Sequence, residues 1–228
     1  MATVVVLAGG AGSRFAAPYP KELHALRPGV SVIDPLMHAI GALAEPVRVV
    51  VVVSAAKLGL VGHLARYRRH DTAFVLADNP AAAGMASGLA AAYPWCDDQV
   101  LVCLGDQVYL GDPVPAFTTA LATVGDGASI AVIAAACTDP DRLRRDGALT
   151  VTDGIVTAAA EKPRDPAGFT ACWSAVAVGK PMLPRLAADL ATPAPACLMN
   201  AAVVWGPAFG NLNEPADARG FATGEVWP

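Results

Sequence analysis

Three features that would place this 228-residue sequence in a familiar class are missing from it. The longest apolar runs, such as Val49–Val53, fall well short of the roughly 18 residues that a membrane-spanning helix needs. Lysine and arginine number 16 against 20 aspartates and glutamates, so the basic excess typical of nucleic-acid-binding proteins is lacking. The N-terminus has no signal-peptide pattern. We therefore expect a cytoplasmic protein without a membrane or nucleic-acid partner.

The five cysteines follow no pattern of a metal site or a disulfide framework. No two of them fall as Cys-x-x-Cys, no histidine clusters beside them, and the four histidines are scattered as well. We expect the cysteines to be small buried residues in a reducing compartment. They are Cys96, Cys103, Cys137, Cys172 and Cys197.

Apolar, β-branched segments alternate with helical or loop segments over the first 135 residues, which predicts a mostly parallel sheet covered on both faces. The predicted strands are 3–7, 48–53, 73–76, 100–104 and 129–134, and the predicted helices are 31–43 and 84–93. In the second half, shorter strands are predicted at 148–151, 155–160 and 171–178, with a tight turn at 152–154 and a helix at 185–190. We expect one α/β domain over 1–228, a Rossmann-like doubly wound layer with a small β-hairpin excursion in its second half.

A glycine-rich turn follows the first predicted strand, Thr3–Leu7. The glycines of Gly9-Gly10-Ala11-Gly12-Ser13-Arg14 allow a sharp turn whose backbone amides point at phosphate oxygens. Arg14 and Lys21 add two cations beside it. The spacing fits neither a Walker A loop nor the Gly-x-Gly-x-x-Gly dinucleotide fingerprint. We predict that this turn holds a nucleoside triphosphate.

Two segments, Leu7-Ala8-Gly9-Gly10-Ala11-Gly12-Ser13-Arg14 and Pro20-Lys21-Glu22-Leu23, resemble the signature of the nucleotidyltransferases that make nucleotide sugars, such as the glucose-1-phosphate thymidylyltransferases. The resemblance implies a nucleotide-binding half, 1–135, and a sugar-phosphate-binding half, 136–228. It implies catalytic roles for Arg14, Lys21 and Asp106. It further implies nucleotide contacts for Leu7, Ala8, Gly9, Gly10, Gly12, Ser13, Asn79 and Gly84.

Asp106 comes directly after the apolar strand 100–104, in Leu104-Gly105-Asp106-Gln107. Its carboxylate is therefore expected at the carboxyl end of a strand, where ligands bind in open α/β sheets. Mg²⁺ takes one or two carboxylates together with substrate phosphates. In the resembled family this Gly-Asp element carries the catalytic Mg²⁺ ligand, so the resemblance implies Mg²⁺ as the cofactor.

Glu161-Lys162-Pro163 resembles the element by which this family holds the sugar and its phosphate. A glutamate can accept two sugar hydroxyls, and a neighbouring lysine can neutralise the phosphate. The family also places a glycine close to the sugar, which corresponds here to Gly147. We add Trp173 to the residues expected to shape the sugar pocket.

Near the C-terminus, 210–217 resembles the family segment Asp-x-Asn-Thr-Pro-Glu-Asp, whose first aspartate gives the second metal contact. That position is Asn211 here. An amide oxygen can ligate Mg²⁺ but brings no charge, so we expect a weaker metal site. Asp217 or the substrate phosphates are alternative sources of the missing charge, and loss of catalysis is another alternative.

The base of the nucleotide stays open. The segment Gly84-Met85-Ala86-Ser87 stands where many members have Gly-Thr-Ala, and it is closer to molybdenum-cofactor cytidylyltransferases, whereas 20–23 is similar to uridylyltransferases. We expect transfer from dTTP or UTP to a sugar 1-phosphate. The alternatives are cytidylyl transfer to a pterin or polyol phosphate, and a homologue that binds nucleotide sugar without catalysis.

Overall fold

The computed structural model describes residues 1–10, 12, 14–15, 17–67, 70–77, 84–214, 217–218 and 221. The strands in these ranges are β1 (Ala2–Leu7), β2 (Ala25–Arg27), β3 (Val30–Ser31), β4 (Val47–Val53), β5 (Asp71–Leu76), β6 (Gln99–Leu104), β7 (Gln107–Tyr109), β8 (Ile130–Ala136), β9 (Gly147–Thr152), β10 (Ile155–Glu161), β11 (Ala171–Gly179), β12 (Ala202–Trp205) and β13 (Phe209–Asn211). The α-helices are α1 (Asp34–Gly41), α2 (Gly59–Leu64), α3 (Met85–Ala92), α4 (Val114–Gly125), α5 (Pro140–Arg145) and α6 (Leu183–Asp189).

The central sheet runs in the order β5-β4-β1-β6-β11-β8-β12-β10-β9. Its first four strands are parallel, and β1 lies between β4 and β6 with Leu7 opposite both Val52 and Leu104. A strand with parallel neighbours on both sides and helices on both faces is buried throughout, which explains why β1 and β4 are nearly unbroken runs of valine. The carboxyl ends of these strands form one edge of the sheet.

The second half of the sheet is mixed. Strand β11 is antiparallel to both β6 and β8, and β9 pairs with β10 and also with β11. The two-residue turn between β9 and β10 has positive φ at both Asp153 and Gly154, 51° and 76°. Asp-Gly at such a turn matches the right-handed twist of a hairpin. This half of the sheet therefore curls back on β11.

Helices cover both faces of the sheet, as a doubly wound fold requires. On one face Leu36 of α1, Leu60 of α2, Phe117 of α4 and Leu143 of α5 are buried against the strands. On the other face Leu89 of α3 and Leu186 of α6 do the same. The Rossmann-like α/β fold is thus confirmed, with a parallel first half and a mixed second half.

The predicted strands are present, most of them one or two residues longer than the patterns indicated. Helix α1 is shorter than the predicted 31–43, because Val30–Ser31 pair with Ala25–Arg27 as strands. Helices α2, α4 and α5 and strand β12 were not predicted. All five cysteines are reduced and buried, and burial raises the pKa of Cys96 to about 11 and of Cys197 to about 12.

Among the residues in the described ranges, no helix combines the length and apolar character that crossing a bilayer demands.

Candidate active site

The glycine-rich turn begins at the carboxyl end of β1, as predicted. The Ala8 amide still donates to Val52 O at 2.9 Å, so the chain leaves the sheet only after this residue. Gly12 has a φ of +64°, and the Phe15 amide donates to Gly12 O at 2.9 Å. Phe15 is buried and anchors the far side of the turn. Ser13, a predicted nucleotide contact, lies outside the described residues.

Lys21 and Asp106 form an ion pair at the same edge of the sheet. Lys21 begins a short 3-10 turn, Lys21–Leu23, and Asp106 follows β6. The Gly105 amide donates to Leu7 O at 3.0 Å, which places Asp106 beside the end of β1. Two predicted catalytic residues 85 positions apart are therefore in direct contact.

A second ion pair lies behind the first one, and it was not predicted. Lys57 Nζ donates to Glu22 Oε1 at 2.5 Å, and both side chains are almost fully buried. Burial raises the pKa of Glu22, and the charge and hydrogen bond of Lys57 oppose that effect. Glu22 follows Lys21 directly, so the pair fixes the backbone that carries Lys21. Lys57 lies four residues after the end of β4. A lysine just after the carboxyl end of a buried strand is the sequence feature that could have indicated a charged residue at this edge.

Asn211 lies next to Asp106 through a small two-stranded ribbon. In the pairing of β13 with β7, Asn211 is opposite Gln107, and the Leu212 amide donates to Asp106 O at 2.9 Å. Asn211 Nδ2 donates to Asp146 Oδ1 at 2.7 Å. Asn211 Oδ1 is buried and has no hydrogen-bond partner.

The residues present fit a magnesium ion. Asp106 offers a carboxylate, and Asn211 Oδ1 is a buried oxygen acceptor that no donor satisfies. Hard oxygen ligands of this kind suit Mg²⁺, which needs few protein ligands when substrate phosphates supply others. Within the described ranges, histidine, cysteine, aspartate and glutamate do not gather in a group of three that could hold a metal. A site here would therefore depend on bound phosphates.

The predicted acceptor residues Glu161 and Lys162 lie at the end of β10. Lys162 Nζ is 3.1 Å from Glu161 Oε1, and the lysine side chain is 54% exposed. The Lys162 backbone is left-handed, with a φ of +52°, and its amide donates to Asp146 O at 3.1 Å. A non-glycine residue in this conformation is held by its surroundings. Asp146 is thus in contact with residues of both predicted subsites.

Gly147 and Trp173 pack directly on each other. A Cβ atom at Gly147 would stand 1.8 Å from Trp173 Nε1, so the indole occupies the space that any larger residue would need. Trp173 is 6% exposed, and its Nε1 is buried without a partner. The structure therefore gives Gly147 a packing reason beside the sugar contact that the resemblance implies.

The remaining predicted residues are spread around the same edge. Arg14 is exposed, and its Nη2 donates to Asn213 Oδ1 at 3.0 Å, close to Asn211. Gly84 precedes α3 with a φ of +121°. A Cβ on Gly88 of that helix would come within 2.9 Å of Leu7 Cδ2, so α3 packs closely on β1. Asn79, a predicted nucleotide contact, lies outside the described residues.

A series of contacts connects Lys21, a predicted catalytic residue, to Lys162, a predicted acceptor residue. Lys21 pairs with Asp106, whose carbonyl binds Leu212; Asn211 binds Asp146, whose carbonyl binds Lys162. Sequence reasoning identified four of these residues by motif, and it missed the role of Asp146. The signal was present, because Asp146 directly precedes Gly147.

A separate cavity lies away from these residues. It has a volume of about 660 Å³ and is lined by residues of α1 and of the amino ends of β4 and β5, including Met37, His38, Val49 and Thr72. This is the opposite edge of the parallel strands from Asp106. The charged residues Lys21 and Asp106 therefore lie at the other edge of the sheet from this cavity.

A glycine-rich turn and paired charges thus meet at one edge of an α/β sheet, and comparison with known proteins gives the family. Residues 4–189 match the model of the MobA-like NTP transferase domain, and the chain belongs to this family. The matched residues form an NTP transferase domain. A curated relative, the bifunctional protein GlmU of Streptomyces coelicolor, is 34% identical over 165 residues, which are 70% of this chain and 33% of GlmU. The chain thus spans about one third of that relative.

Solved structures with the same fold include three informative neighbours. A Bacillus anthracis protein described as a glucose-1-phosphate thymidylyltransferase, in complex with sucrose, has a TM-score of 0.74 at 15% identity, covering 96% of this chain and 93% of its own. HddC from Yersinia pseudotuberculosis complexed with GMP-PN has a TM-score of 0.72 at 17% identity, and the match covers 97% of this chain and 98% of HddC. The inositol-1-phosphate CTP transferase from T. maritima has a TM-score of 0.72 at 16% identity, and the match covers 95% of this chain and 91% of the transferase. At these identities the likeness shows the fold.

Proposed function

We propose that this nucleotidyltransferase transfers a nucleotidyl group from a nucleoside triphosphate to a sugar 1-phosphate, with Mg²⁺ as cofactor, and releases pyrophosphate. The observation that carries the proposal is the series of contacts from Lys21 and Asp106 through Asn211 and Asp146 to Lys162. It joins Lys21, which we assign to the triphosphate, to Lys162, a cation suited to an acceptor phosphate. We also propose that 1–228 acts as one domain, with donor half 1–135 and acceptor half 136–228.

In the proposed reaction a phosphate oxygen of the acceptor forms a bond to the α-phosphorus of the triphosphate. The bond from the α-phosphorus to the bridging oxygen breaks, and pyrophosphate leaves with that electron pair. A phosphate monoester is largely ionised near neutral pH because its second pKa is about 6, so a general base is not needed. The task of the protein is to align anions and to offset their repulsion.

Each charged residue has a place in this task. The amides of the turn from Gly9 to Gly12 and the cations Arg14 and Lys21 hold the triphosphate. Lys162 holds the acceptor phosphate, and Glu161 accepts hydroxyl hydrogen bonds from the sugar. Asp106 and Asn211 would hold the metal ion, which would supply positive charge against the phosphates.

An alternative acceptor has support of its own. The T. maritima neighbour is an inositol-1-phosphate CTP transferase, so a polyol phosphate and CTP fit on the same fold. Gly84-Met85-Ala86 favours a cytidylyltransferase, as the sequence indicated. Glu161-Lys162 favours the sugar 1-phosphate, and dTTP or UTP remains the proposed donor.

The test is pyrophosphate release with Mg²⁺, crossing dTTP, UTP, CTP, GTP and ATP against sugar 1-phosphates and polyol phosphates. We expect one donor and acceptor pair to react. Lys21→Ala should lower its turnover about 10²–10³-fold, the usual loss when one preorganised charge contact is removed. Lys180→Ala is a matched control, because Lys180 binds Cys96 O at 2.6 Å, away from the site. Triphosphate binding without turnover for any pair would favour a non-catalytic homologue.

A further inference from the structure

Asp146 connects the two sides of the candidate site, although no motif pointed to it. Its carbonyl oxygen accepts the Lys162 amide at 3.1 Å, and its Oδ1 accepts Asn211 Nδ2 at 2.7 Å. Its side chain is only 8% exposed. A carboxylate buried to this extent needs a specific reason.

The hydrogen bond to Asp146 decides which way the Asn211 amide faces. The two ends of an asparagine amide have nearly the same shape, but an ionised carboxylate can only accept hydrogen bonds. The NH₂ group must therefore face Asp146, and Oδ1 must face away from it. Asn211 Oδ1 is buried without a hydrogen-bond partner. An unsatisfied buried acceptor is costly, and a hard cation would satisfy it.

Asp146 is itself held in place from the opposite side. Arg142 Nε lies 3.4 Å from Asp146 Oδ2, the oxygen that does not bind Asn211. The Arg142 guanidinium stacks over the ring of Phe209 at 4.6 Å, and Phe209 and Asn211 belong to the same strand, β13. Asp146 Oδ1 is thus presented to the amide in a fixed geometry.

We propose that Asp146 is the positioning residue of the metal ligand Asn211. By accepting the amide N–H it leaves Oδ1 as the atom that contacts the divalent cation, and it supplies the negative charge that the amide lacks. This inference rests on the proposed function, because that function is what places a metal ion beside Asp106 and Asn211.

The same geometry explains why position 211 is an asparagine. An aspartate there would set a second carboxylate oxygen against Asp146 Oδ1 with no proton between them, since the present distance is 2.7 Å. Like charges this close strongly disfavour ionisation of both groups. A carboxylate at position 146 therefore disfavours a second carboxylate at position 211. An asparagine at 211 leaves this pair of residues with a single negative charge.

The experiment exchanges the two residues. Asn211→Asp, Asp146→Asn and the double variant Asp146→Asn/Asn211→Asp are compared with the wild type, and Asp153→Asn in the β9–β10 turn is the matched carboxylate control. Mn²⁺ binding is measured by electron paramagnetic resonance, in the presence of α,β-methylene analogues of all five triphosphates. Urea unfolding is measured without metal. Neither readout needs an acceptor or turnover.

We expect each single variant to bind Mn²⁺ about 10–100-fold more weakly, the range typical of lost partners of metal ligands. The double variant should recover most of the affinity, and Asp153→Asn should bind like the wild type. Without metal, Asn211→Asp should unfold at lower urea than the wild type, and the double variant should reverse this. A single variant that fails to fold does not decide the matter, because the double variant must fold and bind.

Tighter Mn²⁺ binding by Asn211→Asp would overturn the inference, as would wild-type binding by folded Asp146→Asn or no recovery in the double variant. Those results leave the proposed function intact. Absence of any triphosphate-dependent Mn²⁺ binding in the wild type would instead overturn both the inference and the metal dependence of the proposed function.

Discussion

The proposed donor and acceptor halves of the site differ in how far their charged side chains are buried. In the donor half, Lys21, Asp106, Glu22 and Lys57 form two consecutive ion pairs, and all four side chains are at most 20% exposed. In the acceptor half, Lys162 is 54% exposed on a left-handed residue. The proposed donor half therefore buries its charges in pairs, whereas the proposed acceptor half leaves Lys162 about half exposed and paired only with Glu161.

This difference has an energetic reason. Buried charges must be paired, because an unpaired one has a large desolvation cost. An exposed lysine is nearly free to move and can adapt to the phosphate that it meets.

Removing Lys57 is expected to have the largest effect, and it tests whether the donor half depends on its buried ion pairs. Lys57→Met should lower the free energy of unfolding by about 3–5 kcal/mol at neutral pH, because Glu22 is left buried without a cation. The deficit should shrink as the pH falls toward the ordinary pKa of a glutamate, because burial already raises the pKa of Glu22 and the protonated form needs no partner. Urea unfolding at several pH values measures both effects.

The control for Lys57 is the double variant Glu22→Gln/Lys57→Met, which removes both charges. It should recover much of the stability and lose the pH dependence. A single variant as stable as the wild type at neutral pH would mean that the donor half does not depend on its second ion pair.

A smaller effect is expected where the acceptor half packs most closely. Gly147→Ala should destabilise the protein by about 1–3 kcal/mol, because the new Cβ collides with the buried Trp173 indole. Gly62→Ala in α2 is the matched control, since its Cβ meets nothing within 4 Å and an alanine favours a helix. Thermal unfolding distinguishes the two, and equal stability of both variants would show that Trp173 yields easily.

The smallest predicted effect is at Asp217, which accepts hydrogen bonds from residues that follow β13. Its Oδ2 accepts the Asn213 and Glu214 amides at 2.8 Å each, and Arg145 binds its Oδ1 at 2.9 Å. Burial tends to raise the pKa of Asp217, but these hydrogen bonds outweigh it and leave the pKa lowered. Asp217→Asn should therefore cost about 1 kcal/mol at neutral pH.

The sign of the lowered pKa sets the pH dependence. The stabilisation by Asp217 is fully present above the ordinary aspartate pKa and is lost as the pH falls through the lower folded value. Urea midpoints of the wild type and Asp217→Asn should thus converge in acid. A difference that persists at about pH 2 would assign the effect to the shape of the side chain.

The donor half was largely predictable from the sequence because its signals are local. Glycines in a turn after a valine-rich strand, a lysine after proline and an aspartate after β6 each follow from neighbours in the chain. Parallel strands then bring those ends to one edge. The ion pair of Lys21 and Asp106 is the direct result.

The acceptor half was harder because its contacts join distant residues. Asp146 binds Asn211 across 65 positions, and Trp173 meets Gly147 only because β9 curls back on β11. The Glu22 and Lys57 pair in the donor half was missed for the same reason. A motif identifies a residue by its neighbours along the chain, whereas the partner of a buried charge is chosen by topology.

The position of β1 between β4 and β6 also bears on how the chain is made. Of its two neighbours in the sheet, β6 is synthesised last, about 100 residues after β1 itself. At about 5–20 residues per second, this leaves one side of a valine-rich strand unpaired for roughly 5–20 s on the ribosome. Nascent chains of this protein therefore expose an unpaired apolar strand edge during that interval.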